Sequence, residues 1–397
     1  MPAENRITMA SKQKNPFVIM GKIPAELFCD REKESDKLIH YLTNGNHVVL
    51  ISPRRMGKTG LIHHCYDDAR IRDEYFTFFV DILHTSNLRE FTFNLSRSIY
   101  KELVPRGKRL AKGFIQALKS LSGTISIDTL NGGPKFGVEL GDIANAELTL
   151  EEIFAYLDHA HRPCIMAIDE FQQITHYPEK NVEALLRGHI QQMQNCNFVF
   201  AGSERSIMTQ MFSSSARPFY QSADTLELNE IPFDVYSDFA RRLFLEARKN
   251  VDDESLHYVY DLFKGHTFYM QKVFNEAFAI TGKGETCKLD TIFEAIDRIL
   301  SDKETTYMEI LSALSEKQKP LLYAIAAEGM ASRVTSMAFA KKHNLESASA
   351  IQSAIKQLLN QNLITEIHKE YSVTDKFFAL WMNRIYNEKV LSLNKIE

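Results

Sequence analysis

Long apolar runs and metal-binding cysteine patterns are both missing from this 397-residue chain, and each absence excludes a class of protein. No apolar run approaches the roughly 20 residues that a membrane-spanning helix needs. Residues 1–15 are polar and contain no apolar segment, so they do not resemble a secretory signal peptide. The five cysteines are scattered without a Cys-x-x-Cys pair, which predicts reduced thiols in a cytoplasmic protein and no structural zinc.

A large excess of charge of either sign is missing as well. The net charge is −4 and the isoelectric point is about 6.4, which excludes a polycation that coats nucleic acid but not a local basic face. The chain has 44% hydrophobic and 25% charged residues, as ordinary globular proteins do. Its length predicts two or three domains rather than one core.

The hydrophobic pattern changes along the chain and predicts four regions. We expect a flexible tail at 1–15, an α/β core at 16–231 with a hairpin insertion at about 123–147, a helical lid at 232–310 and a winged-helix domain at 311–397. In the core, five apolar strand-like segments alternate with helical ones: 48–51, 76–81, 163–170, 197–203 and 225–228. Apolar strands that alternate with helices predict a parallel sheet covered by helices on both faces.

The most informative motif is a buried strand, a tight loop and a helix that starts with Gly-Lys-Thr. This order is what a phosphate-binding P-loop requires, because the loop and the helix N-terminus direct backbone N–H groups at an anion. Lys58 would reach the β- and γ-phosphates and the Thr59 hydroxyl would hold Mg²⁺. Position one of the motif is Ser52 rather than Gly, which predicts an altered start of the loop. The predicted nucleotide-binding residues are Ser52, Pro53, Arg54, Arg55, Met56, Gly57, Lys58, Thr59 and Gly60.

An acidic pair follows a later buried strand, Ile165-Met166-Ala167-Ile168. A P-loop needs an acidic partner for Mg²⁺ at the end of a neighbouring strand, and Asp169 would fill that role. Glu170 would act as the general base that polarises the attacking water. The alternative is that the pair only ends the strand and begins a turn.

Two further residues are candidates for a catalytic role. Ser203 ends the next strand at the carboxyl edge of the sheet, where it would sense the γ-phosphate or cap the following helix. Arg217 lies in a polar loop, where it would serve as an arginine finger, a subunit contact or an ordinary surface residue.

Together these motifs resemble the archaeal-type ATPase family, which belongs to the AAA+/STAND class of P-loop NTPases. The resemblance rests on the Pro-Arg-Arg-Met-Gly-Lys-Thr run at 53–59, the Asp-Glu pair and the Gly-His-Thr-Phe-Tyr run at 265–269, and it covers about 16–381. It implies a sheet of the ASCE type, a helical lid and a C-terminal winged helix. It also implies that Asp30 and Arg31 lie near the adenine, and that His266 of the lid motif contacts the nucleotide.

The chain departs from the family pattern at several positions. Asp30 replaces a Gly, the lid motif lacks its Pro, and Gln221-Ser222 stands where many members have an Arg. These departures predict slow or partner-stimulated hydrolysis. The preferred hypothesis is an Mg²⁺- and ATP-dependent switch that controls a protein partner or self-assembly, and the alternative is a nucleotide-gated DNA-binding protein like the origin-recognition proteins.

Residues 315–397 predict three helices followed by a short hairpin. This segment has eleven Lys and Arg against eight Asp and Glu, a net charge of +3, which is weak for binding driven by phosphate contacts. The candidate recognition helix, 347–360, has Lys356 as its basic residue, and Gln352 and Ser353 could meet base edges. Packing on the core or on a protein partner is the preferred interpretation, with DNA binding as the alternative.

Overall fold

The structure is a computed structural model, and it describes residues 15–121, 138–367 and 369–386. The described residues form two compact units, one from Lys22 to Glu230 and the other from Ile231 onward together with the segment that ends at Gly21. Most of the predicted tail and most of the predicted hairpin insertion, at 1–14 and 122–137, lie outside the described residues.

The first unit alternates strands and helices. Its strands are β1 (Val48–Ile51), β2 (Phe76–Asp81), β3 (Cys164–Asp169), β4 (Cys196–Gly202) and β5 (Asp224–Glu227). Its helices are α1 (Glu32–Thr43), α2 (Lys58–Asp67), α3 (Ala69–Arg72), α4 (Leu88–Leu103), α5 (Lys108–Ala117), α6 (Ala146–Asp158), α7 (Val182–Ile190) and α8 (Arg205–Ser213). Short 3₁₀ helices cover Ala25–Leu27, Leu140–Asp142 and Phe171–His176.

The five strands form one parallel sheet in the order β2-β3-β4-β1-β5. Alternate residues of β1 face opposite sides: Val49 and Ile51 join one apolar cluster, and Val48 and Leu50 join the other. All four are buried, because helices cover both faces of the sheet. The predicted parallel sheet is confirmed, and its carboxyl edge carries the ends of β1, β3 and β4.

The second unit begins with a helical part that contains a small strand pair. Its helices are α9 (Phe233–Glu246), α10 (Asp253–Phe263), α11 (Thr267–Ile280) and α12 (Leu289–Ser312), and its strands are β6 (Asn250–Val251) and β7 (Thr286–Cys287). The sequence pattern did not reveal this parallel pair, since two residues are too few to show alternation. The predicted lid boundary at residue 310 falls inside α12, which continues without interruption to Ser312.

The remainder of this unit has the winged-helix arrangement. It contains α13 (Gln318–Glu328), β8 (Ala331–Ser332), α14 (Met337–Lys342), α15 (Ala348–Asn360), β9 (Ile364–Ile367), β10 (Glu370–Val373) and α16 (Lys376–Tyr386). Strands β8, β10 and β9 form an antiparallel sheet, so the predicted hairpin gains a third strand. Helix α16 packs on α12 and α13 and buries Trp381 and Phe378. No helix among the described residues is long and apolar enough to cross a membrane.

Candidate nucleotide-binding site

The loop between β1 and α2 has the backbone of a P-loop. Two of its residues adopt left-handed conformations, Arg55 with φ 68° and Gly57 with φ 93°. Gly57 is the N-cap of α2, so the free N–H groups at the start of that helix adjoin the loop. Backbone N–H groups arranged in this way bind phosphate oxygens. Met56 is buried within the loop, and Gly60 lies in the first turn of α2.

Ser52 does not disturb the loop in the way that the sequence suggested. The residues with a positive φ do not include Ser52, so its backbone does not need glycine. Its N–H donates to the carbonyl of Gly202 at 3.2 Å, which extends the contact between β1 and β4 by one residue. The expectation of an altered start of the loop is therefore wrong, because the first position continues the strand before the turn begins.

Lys58 is buried at the centre of the site, with 6% of its surface exposed. Its ammonium lies 3.4 Å from the carbonyl of Ser52 and 3.9 Å from Oε1 of Glu170. An ammonium has three N–H donors, so this buried cation keeps a donor available for an anion beside these two contacts. This arrangement is what binding of a phosphate chain requires.

The two predicted magnesium ligands lie side by side. The hydroxyl of Thr59 donates to Oδ2 of Asp169 at 2.8 Å, and Asp169 is 5% exposed at the end of β3. Burial raises the pKa of the Asp169 carboxyl above its ordinary value, and Glu170 adds to this effect while Lys58 opposes it. A hydroxyl and a carboxylate are hard oxygen ligands of the kind that Mg²⁺ prefers, so the donor set fits the ion.

Glu170 follows in a left-handed conformation with φ 57°, which turns the chain out of β3. Its Oε2 accepts hydrogen bonds from the Ser203 hydroxyl at 2.5 Å and from the Gln172 amide at 2.6 Å. Burial acts to raise the pKa of Glu170, but Lys58 and these two hydrogen bonds together hold it below its ordinary value. The carboxylate is therefore ionised at neutral pH, as a general base must be.

Ser203 belongs to the site rather than to the following helix. Its hydroxyl donates to Glu170, and Arg54 Nε lies 3.4 Å from the same hydroxyl oxygen. Helix α8 has Glu204 as its N-cap, so the alternative of Ser203 as the capping residue is wrong. The structure thus brings Arg54, Lys58, Glu170 and Ser203 into one connected cluster.

Arg31 joins the loop from the start of α1. Its guanidinium lies 3.5 Å from the carbonyl of Met56 and donates to Glu34 at 2.9 Å. Both Asp30 and Arg31 have a positive φ, and Arg31 is 5% exposed. The segment before α1 is therefore attached to the P-loop through this buried arginine, while contact of Asp30 and Arg31 with adenine stays a prediction.

Two other candidates have separate surroundings in the structure. Arg217 forms a bidentate ion pair with Glu183 of α7, with Nε 3.1 Å from Oε2 and a second, shorter contact between Nη2 and Oε1. Its guanidinium would have to leave this pair to act as a finger. His266 is the N-cap of α11 in the other unit, and its contact with nucleotide stays a prediction.

Sequence reasoning missed Gln172, which is 1% exposed and bonded to the candidate base. The available signal was its position two residues after Glu170, where a polar side chain follows a buried strand.

A separate cavity of about 660 Å³ opens at the amino ends of β2 and β3, with Phe76, Phe78 and Cys164 in its lining. It lies at the opposite edge of the sheet from the P-loop.

Comparison with family models identifies two parts of the chain. Residues 28–273 match the model of an ATPase domain found predominantly in Archaea, which spans more than half of the chain. The chain belongs to this family of archaeal ATPases. Residues 305–384 match a probable winged-helix domain. Both matches confirm the resemblance that the P-loop and the Asp-Glu pair indicated, and a comparison with curated proteins found no match.

Solved structures with the same fold include a Walker-type ATPase and two ORC proteins. The Walker-type ATPase PABY2304 of Pyrococcus abyssi is 19% identical with a TM-score of 0.62, and the match covers 93% of this chain and 99% of that one. ORC2 of Aeropyrum pernix, solved in ADPNP-ADP complexes, is 14% identical with a TM-score of 0.57 and coverages of 96% and 99%. ORC1 of Aeropyrum pernix, in complex with DNA, is 13% identical with a TM-score of 0.52 and coverages of 94% and 97%. At these identities the likeness establishes the fold.

Proposed function

We propose that this archaeal ATPase family member binds and hydrolyses ATP with Mg²⁺ and acts in the cytoplasm as a switch of the AAA+/STAND class. The observation that carries the proposal is the convergence of Lys58, Thr59, Asp169, Glu170 and Ser203 at one edge of the sheet. Each makes a direct contact with another member of the set. These residues supply the phosphate, metal, base and sensor positions of a P-loop hydrolase.

The roles follow from the chemistry of each side chain. Lys58 neutralises the β- and γ-phosphates, and Thr59 and Asp169 would hold Mg²⁺, which would neutralise charge on the phosphate oxygens. Glu170 accepts a proton from the attacking water through Oε1, the oxygen that faces Lys58. The Ser203 hydroxyl donates to Oε2 of the same carboxylate and lies 3.4 Å from Arg54 of the loop, so Ser203 senses the attacking water through Glu170.

The test is nucleotide binding and turnover in three proteins: wild type, Lys58→Ala and Glu170→Gln. We expect wild type to bind ATP in the presence of Mg²⁺ and to hydrolyse it slowly. Lys58→Ala should lose binding, and Glu170→Gln should bind ATP and lose turnover. Absence of ATP binding by the wild-type protein, or unchanged binding by Lys58→Ala, would refute the proposal.

The switch controls binding to a protein partner or to a second copy of the chain. Arg217 supports this part, because a guanidinium that exchanges Glu183 for a neighbouring nucleotide would tie hydrolysis to assembly. Turnover per molecule should then rise with protein concentration in wild type and stay flat in Arg217→Ala. A turnover rate that does not depend on concentration in either protein would exclude Arg217 as an arginine finger.

A nucleotide-gated DNA-binding function is the second candidate, because the C-terminal part is a winged helix. The winged helix has little positive charge available to bind phosphate, because Lys342 and His343 both contact Glu328. Duplex DNA binding should be measured by fluorescence anisotropy with ATP, with ADP and without nucleotide, over a series of salt concentrations. Affinity that depends on nucleotide and falls with salt would favour this function.

A further inference from the structure

Gln172 is a buried polar residue for which the P-loop mechanism has no role. It lies on the 3₁₀ helix that follows β3, two residues after Glu170, and is 1% exposed. Its amide nitrogen faces the Glu170 carboxylate, since an ionised carboxylate only accepts hydrogen bonds. Its amide oxygen is buried with no hydrogen-bond partner among the described residues. A half-satisfied buried amide costs stability, which indicates that its donor serves a purpose.

The contact divides the two oxygens of Glu170 between different neighbours. Oε2 accepts from Gln172 at 2.6 Å and from Ser203 at 2.5 Å, while Oε1 lies 3.9 Å from the Lys58 ammonium. One oxygen is therefore anchored, and the other points to the side on which Lys58 would hold the phosphates. This is the orientation that a base needs to take a proton from water beside the γ-phosphate.

Gly202 makes the room that Gln172 occupies. A Cβ atom at position 202 would lie 2.6 Å from the amide oxygen of Gln172 and 2.5 Å from the Met208 side chain. Such distances are far below van der Waals contact, so alanine here would displace one or both side chains. The end of β4 and the turn after β3 are thus shaped to fit each other around this glutamine.

We propose that Gln172 is a positioning residue that anchors Oε2 of Glu170, so that Oε1 stays directed at the attacking water, with Gly202 as the residue that admits it. The proposal rests on the proposed ATPase function. A free glutamate side chain rotates about three bonds, and a second anchor beside Ser203 restricts it to one orientation. Loss of hydrogen-bonded partners that orient a reactive group elsewhere lowers activity by roughly 10–100-fold.

The test is Gln172→Leu, which keeps the approximate volume and removes the donor. We expect kcat to fall about 10–100-fold with KM for ATP unchanged, because the Gln172 amide contacts Glu170 and, at 3.4 Å, the Ser203 hydroxyl, and therefore acts on the base rather than on the phosphate-binding loop. Gln172→Asn is one carbon shorter and should lose the contact as well, so it should resemble Gln172→Leu. In the Glu170→Gln background, Gln172→Leu should have little further effect on residual turnover.

Gln173→Leu is the matched control. Gln173 is the next residue and donates to the carbonyl of Thr85 at 2.9 Å, away from the carboxylate. Gln173→Leu removes one amide hydrogen bond from the same 3₁₀ helix, and we expect the kcat of this variant to stay near that of wild type. An equal loss in the Gln172 and Gln173 variants would mean that both only stabilise the turn, which overturns the proposal.

Gly202→Ala tests the same contact from the other strand. This substitution adds no polar group to the site. A fall in kcat similar to that of Gln172→Leu, with unchanged KM, would therefore support the role of Gln172 as the anchor of Glu170. A second readout does not depend on turnover: binding of ADP with aluminium fluoride, which mimics the transferred phosphoryl group. Gln172→Leu should weaken this complex and leave ADP binding unchanged, and equal weakening of both or of neither would overturn the proposal. Failure of the wild-type protein to bind any nucleotide would instead refute the proposed function on which it rests.

Discussion

The Thr59 hydroxyl donates a 2.8 Å hydrogen bond to Oδ2 of Asp169, and this contact joins the first turn of α2 to the carboxyl end of β3. The two residues come from parts of the sequence far apart, and the contact joins an exposed threonine to a carboxylate that is 5% exposed. Their oxygens are already at the separation that two ligands of one small cation adopt. The first prediction concerns this pair.

Thr59→Ala should reduce the Mg²⁺ dependence of nucleotide affinity while leaving affinity in EDTA nearly unchanged. Loss of one metal-binding group typically weakens the complex by about 10–100-fold. The measurement is ATP affinity by calorimetry, with Mg²⁺ and with EDTA. Thr59→Ser keeps the hydroxyl and is the matched control. If Thr59→Ser loses as much ATP affinity in Mg²⁺ as Thr59→Ala does, the methyl group matters and the oxygen does not.

The second prediction concerns pH. Burial raises the pKa of Asp169 in the free protein, so a proton and Mg²⁺ compete for the same carboxylate. The Mg²⁺-dependent part of ATP affinity should therefore weaken as pH falls through this raised pKa and be complete above it. Metal binding should also release protons, which calorimetry in buffers of different ionisation enthalpy detects. In Asp169→Asn the Mg²⁺-dependent part should show no such pH dependence.

The sequence predicted the sheet well because its strands are short, apolar and flanked by helices with clear periodicity. Helix α4 shows the same legibility, since Asn87 caps its start and apolar residues recur through Leu103. The positions of Lys58, Thr59 and Asp169 followed from motif spacing, because the carboxyl ends of parallel strands share one edge.

Other features depend on contacts that a single sequence does not show. The role of Gln172 depends on a partner two residues away on a left-handed turn, and the ion pair of Arg217 depends on Glu183 of a different helix. The normal backbone of Ser52 was missed because a motif gives a residue type and not a φ angle. Phe17 was placed with the core by sequence position, whereas packing assigns it to the second unit.

The third prediction concerns His47, the half-buried histidine just before β1. Burial, with a smaller contribution from Arg187, lowers the pKa of His47 to about 4, and its Nδ1 accepts from the Phe198 N–H at 3.2 Å. The folded protein thus favours the neutral ring, while the unfolded chain protonates it near the ordinary value of 6.5. This contribution to stability should be complete above pH 6.5 and be lost as pH falls toward 4, by roughly 1–3 kcal/mol.

The measurement is the free energy of unfolding in urea at several pH values. His47→Gln is the matched variant, because a glutamine oxygen accepts the same kind of hydrogen bond and does not titrate. Its unfolding free energy should fall less between pH 6.5 and 4 than that of wild type. Parallel pH curves for the two proteins would show that His47 does not account for the acid sensitivity.

The fourth prediction concerns the segment before the first unit. Phe17 is fully buried in the second unit, where its ring packs 5.5 Å from Phe244 and 5.7 Å from Phe274, measured between ring centroids. Two side-chain amides fix the backbone around it: Asn15 donates to the carbonyl of Asn275, and Asn275 donates to the carbonyl of Phe17, both at 2.7 Å. The chain therefore fastens this short segment to α9 and α11 before it enters the first unit.

Phe17→Ala should destabilise the second unit by about 3–5 kcal/mol, because it removes a fully buried aromatic ring and leaves a cavity among phenylalanines. The urea midpoint of that unit, followed by the fluorescence of Trp381, should fall accordingly, since Trp381 is the single tryptophan of the chain. Met20→Ala is the control: Met20 lies three residues further on and is 85% exposed, so its change should stay within about 0.5 kcal/mol. Equal midpoints for wild type and Phe17→Ala would mean that the segment around Phe17 does not stabilise helices α9 to α12. These helices would then pack equally well without the Phe17 ring.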